Sequence, residues 1–306
     1  METSIIIETI VKVVIVLAVF SALAGFTTYI ERKILAFMQR RLGPTNVGPY
    51  GLLQIAADGI KLFTKEDFIP ANANKPIFMI APLITAATAF IAMSAVPFFP
   101  EFEMFGYTVR PIISDINVGV LFVMSVGAVG LYGPLLGGMS SANKWALLGG
   151  ARTAIQLLSY EVVSGLSLLA PLMMVGSLSL IDINNYQSGG VSDWIIWSQP
   201  LAFILFTIAG FAETNRTPFD LLEHEAELVA GYATEYSGMR WGMFFIGEYA
   251  NLFTISFLIT LIFLGGFNDL WFIPGGLAIV LKVMFLIFIF LWTRASWPHI
   301  RRDQLM

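Results

Sequence analysis

The sequence comprises 306 residues, of which 57% are hydrophobic and 12% charged, with a mean hydropathy of +0.77. A soluble domain carries about 25% charged residues, so the composition indicates an integral membrane protein. A net charge of −4 gives no basic surplus for nucleic acid. Because there are no cysteines and only two histidines, disulfides and Cys-ligated clusters are excluded. The sequence predicts no metal site and no catalytic residues.

Seven apolar runs approach or exceed the roughly 20 residues that a membrane-spanning helix needs. We therefore predict an all-α polytopic membrane protein, with residues 1–306 forming one membrane domain. The first run lacks the basic start and cleavage site of a signal peptide, so it is interpreted as a retained helix. The seven predicted spans are Ile5–Ile30, Ile77–Val96, Ile116–Gly137, Thr153–Leu178, Trp194–Ala212, Trp241–Gly265 and Gly276–Thr293.

The loops between these spans differ in positive charge. Seven of the 17 Lys and Arg residues lie between Glu31 and Pro76. Loops that hold more Lys and Arg usually face the cytoplasm. This pattern predicts an outside N-terminus, an inside C-terminus, and cytoplasmic loops over residues 31–76 and 213–240.

The 31–76 loop contains a further predicted helix with two different faces. Pro49 close to its start suits a first helical turn. An amphipathic helix in the membrane interface explains this pattern. The polar face comprises Gln54, Asp58, Lys61 and Lys65, and the apolar face comprises Leu52, Ile55, Ala56, Gly59 and Phe63.

The 213–240 loop is acidic. Thr217-Pro218-Phe219-Asp220 resembles a helix start with an N-cap, a proline at the first position and an acid at the third. Capping and a solvated helix face form one explanation. The carboxylates have only Arg216 and His224 nearby in the sequence, and such crowding raises carboxylate pKa values, which favours a functional site. The five carboxylates are Glu213, Asp220, Glu223, Glu225 and Glu227.

Further acids lie within or at the ends of predicted spans. Glu161 and Glu248 fall inside apolar runs, and Glu213 closes one. They could pair structurally with arginines (Arg152, Arg216, Arg240), or they could form a proton path. Charge inside a membrane is costly and usually functional, so we favour the proton path.

Several ordered motifs together resemble one family, the membrane subunit of respiratory complex I that borders the quinone site. The resemblance covers essentially the whole sequence. Members usually continue beyond residue 306 into one more membrane helix, which this sequence does not contain. The motifs are Glu31–Ala36, Arg41–Pro44, Val47–Gln54, Ala57–Leu62, Asn143–Gly149, Gln156–Glu161, Ala212–Leu221, Glu227–Gly231, Glu235-Tyr236 and Asp303–Met306.

The resemblance implies roles for particular residues. A quinone tunnel would be bordered by Glu31, Arg32, Arg41, Asp58 and Lys61. An acidic funnel that couples quinone reduction to proton movement would comprise Glu213, Arg216, Asp220, Glu223, Glu225 and Glu227. A proton path would include Glu161, Glu235 and Glu248.

The leading hypothesis is therefore a non-redox subunit of a proton-translocating NADH:quinone oxidoreductase in a bacterial or organelle inner membrane. Quinone would be the substrate, while NADH, FMN and iron–sulfur clusters would bind to partner subunits of complex I. One alternative is a sister subunit of an ion-pumping membrane-bound hydrogenase-type complex without quinone. A stand-alone transporter is a third hypothesis, although the sequence lacks the internal repeat common in transporters.

Overall fold

The computed structural model describes residues 2–104, 107–220, 230–271, 273–298 and 300. This part of the protein folds almost entirely as α-helix, as predicted. The helices are α1 (Glu2–Met38), α2 (Gln54–Thr64), α3 (Lys75–Met93), α4 (Gly119–Gly130), α5 (Tyr132–Ser140), α6 (Lys144–Val175), α7 (Leu180–Tyr186), α8 (Ile195–Ser198), α9 (Pro200–Glu213), α10 (Gly238–Phe263) and α11 (Gly275–Ser296). An antiparallel hairpin joins β1 (Phe102–Met104) to β2 (Tyr107–Val109), and short 3-10 turns occupy Pro49–Gly51, Val191–Asp193 and Gly231–Ala233.

Six spans among the described residues are long and apolar enough to cross a membrane. The predicted run Trp194–Ala212 is instead divided into α8 and α9, because Pro200 has no amide hydrogen with which to continue α8. Helix α9 has 14 residues, so it is about 21 Å long, shorter than the roughly 30 Å hydrocarbon core. The spans are 8–38, 75–93, 119–140 (α4 and α5 together), 144–175, 238–263 and 275–296.

Two predicted boundaries move appreciably. Helix α1 continues past Ile30 to Met38, because no glycine or proline occurs between Ile30 and Gly43. Glu31 and Arg32 therefore lie on a helix rather than in a loop. Helix α6 begins nine residues before the predicted start, where the Asn143 side chain accepts a hydrogen bond from the Trp145 backbone N–H at 2.9 Å and caps the helix.

Helix α10 forms the centre of the bundle. In its most apolar 18-residue window 78% of the residues are buried, against 11–44% in the other five spans. It packs against α3, α1, α11, α9 and α2. A helix that is apolar all round and buried belongs in a core, whereas its neighbours turn apolar faces outward, as expected for contact with lipid.

Helix α2 confirms the amphipathic helix predicted in the 31–76 loop. It lies against α1 and α10 without burying any residue completely. Ile60 and Phe63 are 64% and 73% exposed, which suits a helix at the membrane interface. Pro49 was expected in its first turn, but it begins the separate 3-10 turn Pro49–Gly51.

The helix predicted to start at Thr217 is not found in the described residues. Residues 217–220 form a turn with a cis Thr217–Pro218 peptide bond. The Phe219 backbone N–H closes this turn by donating to the Arg216 carbonyl at 2.9 Å. The Arg216 side chain is buried and donates a hydrogen bond to Glu31. Residues 221–229 lie outside the described part.

Candidate functional site

A cavity of about 490 Å³ lies between α1, α2 and α10; we call it the large cavity. Small side chains on α1 leave the space, and aromatic side chains of α10 form the opposite wall. Its lining includes Ser21, Ala24, Gly25, Thr28, Ile55, Leu62, Trp241, Phe245 and Tyr249. Charged residues contribute at the α2 side, namely Arg32, Asp58, Lys61 and Lys65. The cavity therefore combines apolar walls with a charged rim.

Asp58 is the centre of that rim. It accepts hydrogen bonds from Arg32 Nη1 at 2.7 Å and from Gln54 Nε2 at 3.1 Å, and Lys61 Nζ lies 3.5 Å away. Partial burial alone would raise the pKa of Asp58, but the Gln54 hydrogen bond and the two cations outweigh it and lower the pKa. The structure thus brings together three residues expected at the tunnel, Arg32, Asp58 and Lys61. Arg41 is exposed beyond the end of α1 and does not line the cavity.

Glu31 lies behind the large cavity in a buried cluster. Its carboxylate accepts hydrogen bonds from Arg216 Nη1 at 2.8 Å and from Tyr249 Oη at 2.6 Å, and it also contacts Arg294 Nη1. The Arg216 guanidinium stacks over the Tyr249 ring, 4.5 Å from its centroid. Glu31 and Arg216 are each 4% exposed. One carboxylate therefore joins α1, α10, α11 and the segment after α9.

This arrangement changes the grouping expected from sequence. Glu31 was expected at the tunnel mouth and Arg216 in the acidic funnel, but the two form one ion pair. Tyr249 contacts Glu31 and also lines the large cavity, so it connects the two sites. The sequence analysis did not identify Tyr249 or Arg294 as part of the site. These residues are 218 and 263 positions from Glu31, and no local pattern signals such contacts.

A second cavity, of about 40 Å³, contains three carboxylates; we call it the carboxylate cavity. Glu161 comes from α6, Glu213 from the end of α9 and Glu248 from α10. Other polar residues in its lining are Thr85, Asn215, Tyr232 and Asn251. Its volume exceeds the roughly 10–15 Å³ that one water molecule requires, so this polar space can hold water.

Two of the three carboxylates in this cavity lack a hydrogen-bond or ion-pair partner among the described residues. Glu248 accepts a hydrogen bond from Tyr232 Oη at 3.2 Å. The side chains of Glu161 and Glu213 form no hydrogen bond or ion pair with another described residue. Asn215 Oδ1 is buried without a hydrogen-bond partner among the described residues. Buried polar atoms are usually satisfied by protein or by ordered water, so water is the natural partner here.

Two of the three arginines that could have paired with these acids bind other carboxylates instead. Arg216 binds Glu31, and Arg240 binds Asp67 at 3.1 Å. Neither neutralises a residue of the carboxylate cavity.

The remaining acids expected at the site have different positions. Glu235 accepts a hydrogen bond from Asn143 Nδ2 at 2.7 Å and lines a separate cavity of about 340 Å³ beside Lys144. Asp220 is buried. Glu223, Glu225 and Glu227 lie outside the described residues. Within the described part of the protein, no group of three His, Cys, Asp or Glu side chains is arranged to hold a metal ion.

These features define a polytopic α-helical membrane protein with an apolar cavity rimmed by charge and a carboxylate cavity between its helices. Residues 11–306 match the family described as NADH dehydrogenase, and the chain belongs to that family. This confirms the family indicated by the sequence motifs.

The protein is similar to proteins named as the H subunit of NADH-quinone oxidoreductase. It is 77% identical to the protein of Wolinella succinogenes over 304 residues, covering 99% of this chain and 92% of the relative. Identity to that of Nitratiruptor sp. is 76% over 306 residues, covering 100% and 93%. With the Helicobacter hepaticus protein it is 69% over 301 residues, covering 98% and 91%. These names favour the quinone oxidoreductase hypothesis over the hydrogenase-type alternative.

Proposed function

We propose that this protein is a non-redox membrane subunit of a proton-translocating NADH:quinone oxidoreductase. It lines the path of the quinone and links quinone reduction to proton movement. The observation that carries this proposal is the large cavity with its charged rim, which lies next to the buried Glu31 cluster. The names of the similar proteins support the same activity.

The large cavity suits an amphiphilic quinone. Its volume of about 490 Å³ lies within the range of about 300–1,000 Å³ found for ligand sites. Apolar walls formed by α1 and α10 match an isoprenoid tail. Arg32, Asp58 and Lys61 offer polar contacts to the head group as it passes, and Arg41 lies on the outer approach.

The buried Glu31 cluster provides a route from this cavity to the acidic segment. Tyr249 touches both the cavity and Glu31, and Glu31 holds Arg216, which lies between Glu213 and Asp220 in the sequence. A change in charge at the cavity therefore alters a hydrogen-bonded series that ends at the acidic funnel. In this proposal Glu223, Glu225 and Glu227 complete that funnel.

Proton movement then involves the carboxylate cavity. Quinone reduction takes up protons, and carboxylates close together with water between them can exchange protons through that water. Glu161, Glu213 and Glu248 share such a space. Glu235, at the more open cavity beside Lys144, would give access from the loop surface.

The proposal places this subunit in a bacterial inner membrane, with the N-terminus outside and the loops 31–76 and 213–240 inside, an orientation that requires α8 and the short α9 together to cross the membrane. The distribution of Lys and Arg supports this orientation. NADH, FMN and iron–sulfur clusters would bind partner subunits near the charged rim. Other membrane subunits of the complex would continue the proton path.

A charge-neutral variant tests the quinone role. In native membranes, Asp58→Asn removes the charge-assisted contacts to Arg32 and Lys61 at the rim. Arg32 and Lys61 have side-chain exposures of 49% and 67%, and exposed ion pairs contribute about 0–1 kcal/mol, so we expect NADH-driven quinone reduction to fall by up to roughly fivefold at limiting quinone. NADH oxidation with a soluble artificial acceptor should be unchanged. Asp182→Asn, at an exposed position near the opposite end of the bundle, is the matched control. Equal quinone kinetics in both variants would contradict the role of the rim.

The proton role is tested separately with Glu213→Gln and Glu161→Gln. We expect quinone reduction and proton pumping to decrease in both variants while the complex remains assembled. Unchanged rates and pumping in both would show that the carboxylate cavity is not on the proton path. Failure of Glu161→Gln to assemble would favour a structural role for that residue.

A further inference from the structure

Tyr232 contacts one of the acids in the carboxylate cavity, and the proposed function gives this tyrosine no role. Its hydroxyl lies 3.2 Å from Glu248 Oε1, and both residues line the cavity. We propose that Tyr232 is a positioning residue for Glu248, whose carboxylate it holds at the cavity through the hydrogen bond from its hydroxyl. This inference rests on the proposed proton path and adds a residue and a physical link to it.

Tyr232 is buried in a turn that packs tightly against α6. It is 4% exposed and lies in the 3-10 turn Gly231–Ala233, which follows the acidic residues of the 213–240 loop directly. The turn touches α6 so closely that a Cβ atom added at Gly149 would lie 2.6 Å from the Gly231 Cα. Because the backbone has no free space there, the turn holds Tyr232 in a fixed position against α6.

The partner helix presents two matched contacts. The Tyr232 ring meets Phe244 edge-on, with 4.9 Å between the centroids, and the Tyr232 hydroxyl meets Glu248. Phe244 and Glu248 are four residues apart on α10 and so share one helix face. The ring contact guides the phenol, while the hydroxyl contact selects the orientation of the carboxylate. Removing the hydroxyl alone would therefore preserve the packing but abolish the hydrogen bond.

The hydroxyl can serve both charge states of Glu248. A phenol keeps its proton near neutral pH, so Tyr232 donates to Glu248 when the carboxylate is ionised. When Glu248 takes a proton from water in the cavity, its own O–H becomes a donor, and the phenol oxygen can accept. Tyr232 therefore positions Glu248 and is not itself a proton carrier.

The experiment uses the complete complex in native membranes with Tyr232→Phe, which keeps the ring and its contact with Phe244. We expect the ratio of protons moved to NADH oxidised to fall severalfold. A double-mutant cycle with Glu248→Gln separates positioning from general packing. If Tyr232→Phe lowers the ratio by the same factor with and without Glu248, the proposed link is wrong.

Infrared difference spectroscopy gives a readout independent of turnover. The C=O band of protonated Glu248 is identified by its loss in Glu248→Gln, and Tyr232→Phe should shift it. Tyr186→Phe, which removes an exposed hydroxyl near the opposite end of the bundle, should leave it in place. An unmoved band in Tyr232→Phe overturns the inference. Should that variant fail to assemble, Gly149→Ala displaces the turn while retaining the hydroxyl, and an unmoved band there has the same meaning.

Different results would contradict the proton path and the role of Tyr232. If Glu161→Gln, Glu213→Gln and Glu248→Gln all leave pumping unchanged, the proton path itself is wrong. If they impair pumping but Tyr232→Phe changes neither the proton ratio nor the band, only the role of Tyr232 is wrong.

Discussion

Neutralising Glu31 should destabilise this protein strongly, because Glu31 compensates a buried cation. In Glu31→Gln the Arg216 guanidinium, at 4% side-chain exposure, loses its charged partner but stays enclosed by protein. Removing one member of a buried ion pair costs about 3–5 kcal/mol. This is roughly a hundredfold to a few thousandfold in the folding equilibrium. Arg294 has 26% side-chain exposure, so water can solvate its charge and its loss of contact contributes less.

The assay heats the purified native complex and measures how much of this subunit remains in the complex as the temperature rises. Glu101→Gln is the matched control, because it breaks an ion pair with Arg110 in which both side chains are more than half exposed. Exposed pairs contribute about 0–1 kcal/mol, so that variant should be close to wild type. The double variant Glu31→Gln with Arg216→Gln should recover part of the loss, because it removes the uncompensated charge. Equal stability of Glu31→Gln and Glu101→Gln would refute the reasoning.

Three further predictions concern packing, hydrogen bonding and pH. Gly138→Ala should cost about 1–3 kcal/mol of stability, because the new Cβ would lie 2.4 Å from the Ala146 carbonyl oxygen. The control Gly165→Ala should be neutral or stabilising, because no atom lies within 4 Å of its new Cβ. Retention of the subunit after heating tests both variants. Gln187→Leu should destabilise by about 2–4 kcal/mol in the same assay, because the backbone N–H groups of Ile195 and Gly265 lose their acceptor, while the exposed Asn185→Ala should change little. The pKa of Asp58 is lowered in the folded protein, so the stability that its ionised carboxylate contributes is complete above the unfolded pKa of about 3.9 and is lost only as pH falls through the lower folded pKa. Asp58 therefore stays ionised from about pH 5 to about pH 8, and the difference in quinone KM between wild type and Asp58→Asn should be constant over this range. A difference that disappears within this range would contradict the assignment.

The carboxylate cavity shows how far sequence reasoning reached into the site. The positions of Glu161, Glu213 and Glu248 in or beside apolar runs marked them as functional candidates, because charge in a membrane is costly. Their meeting in one cavity, and the absence of Glu235 from it, depend on how α6, α9 and α10 pack. Asn215, Asn251 and Tyr232 are ordinary polar residues in the sequence and gave no comparable signal.

The sequence by itself determined the class of protein, the membrane spans apart from the short α9, the amphipathic helix α2 and the family. These features depend on hydrophobic length, on periodicity within a few turns and on contiguous motifs, all of which are local. Tertiary structure alone decided that Glu31 holds Arg216, 185 residues away, that Tyr249 connects this pair to the large cavity, and that Pro218 lies in a turn. A buried charge must find an opposite charge wherever the folded protein supplies one, and that partner is fixed by packing between helices rather than by neighbours in the sequence.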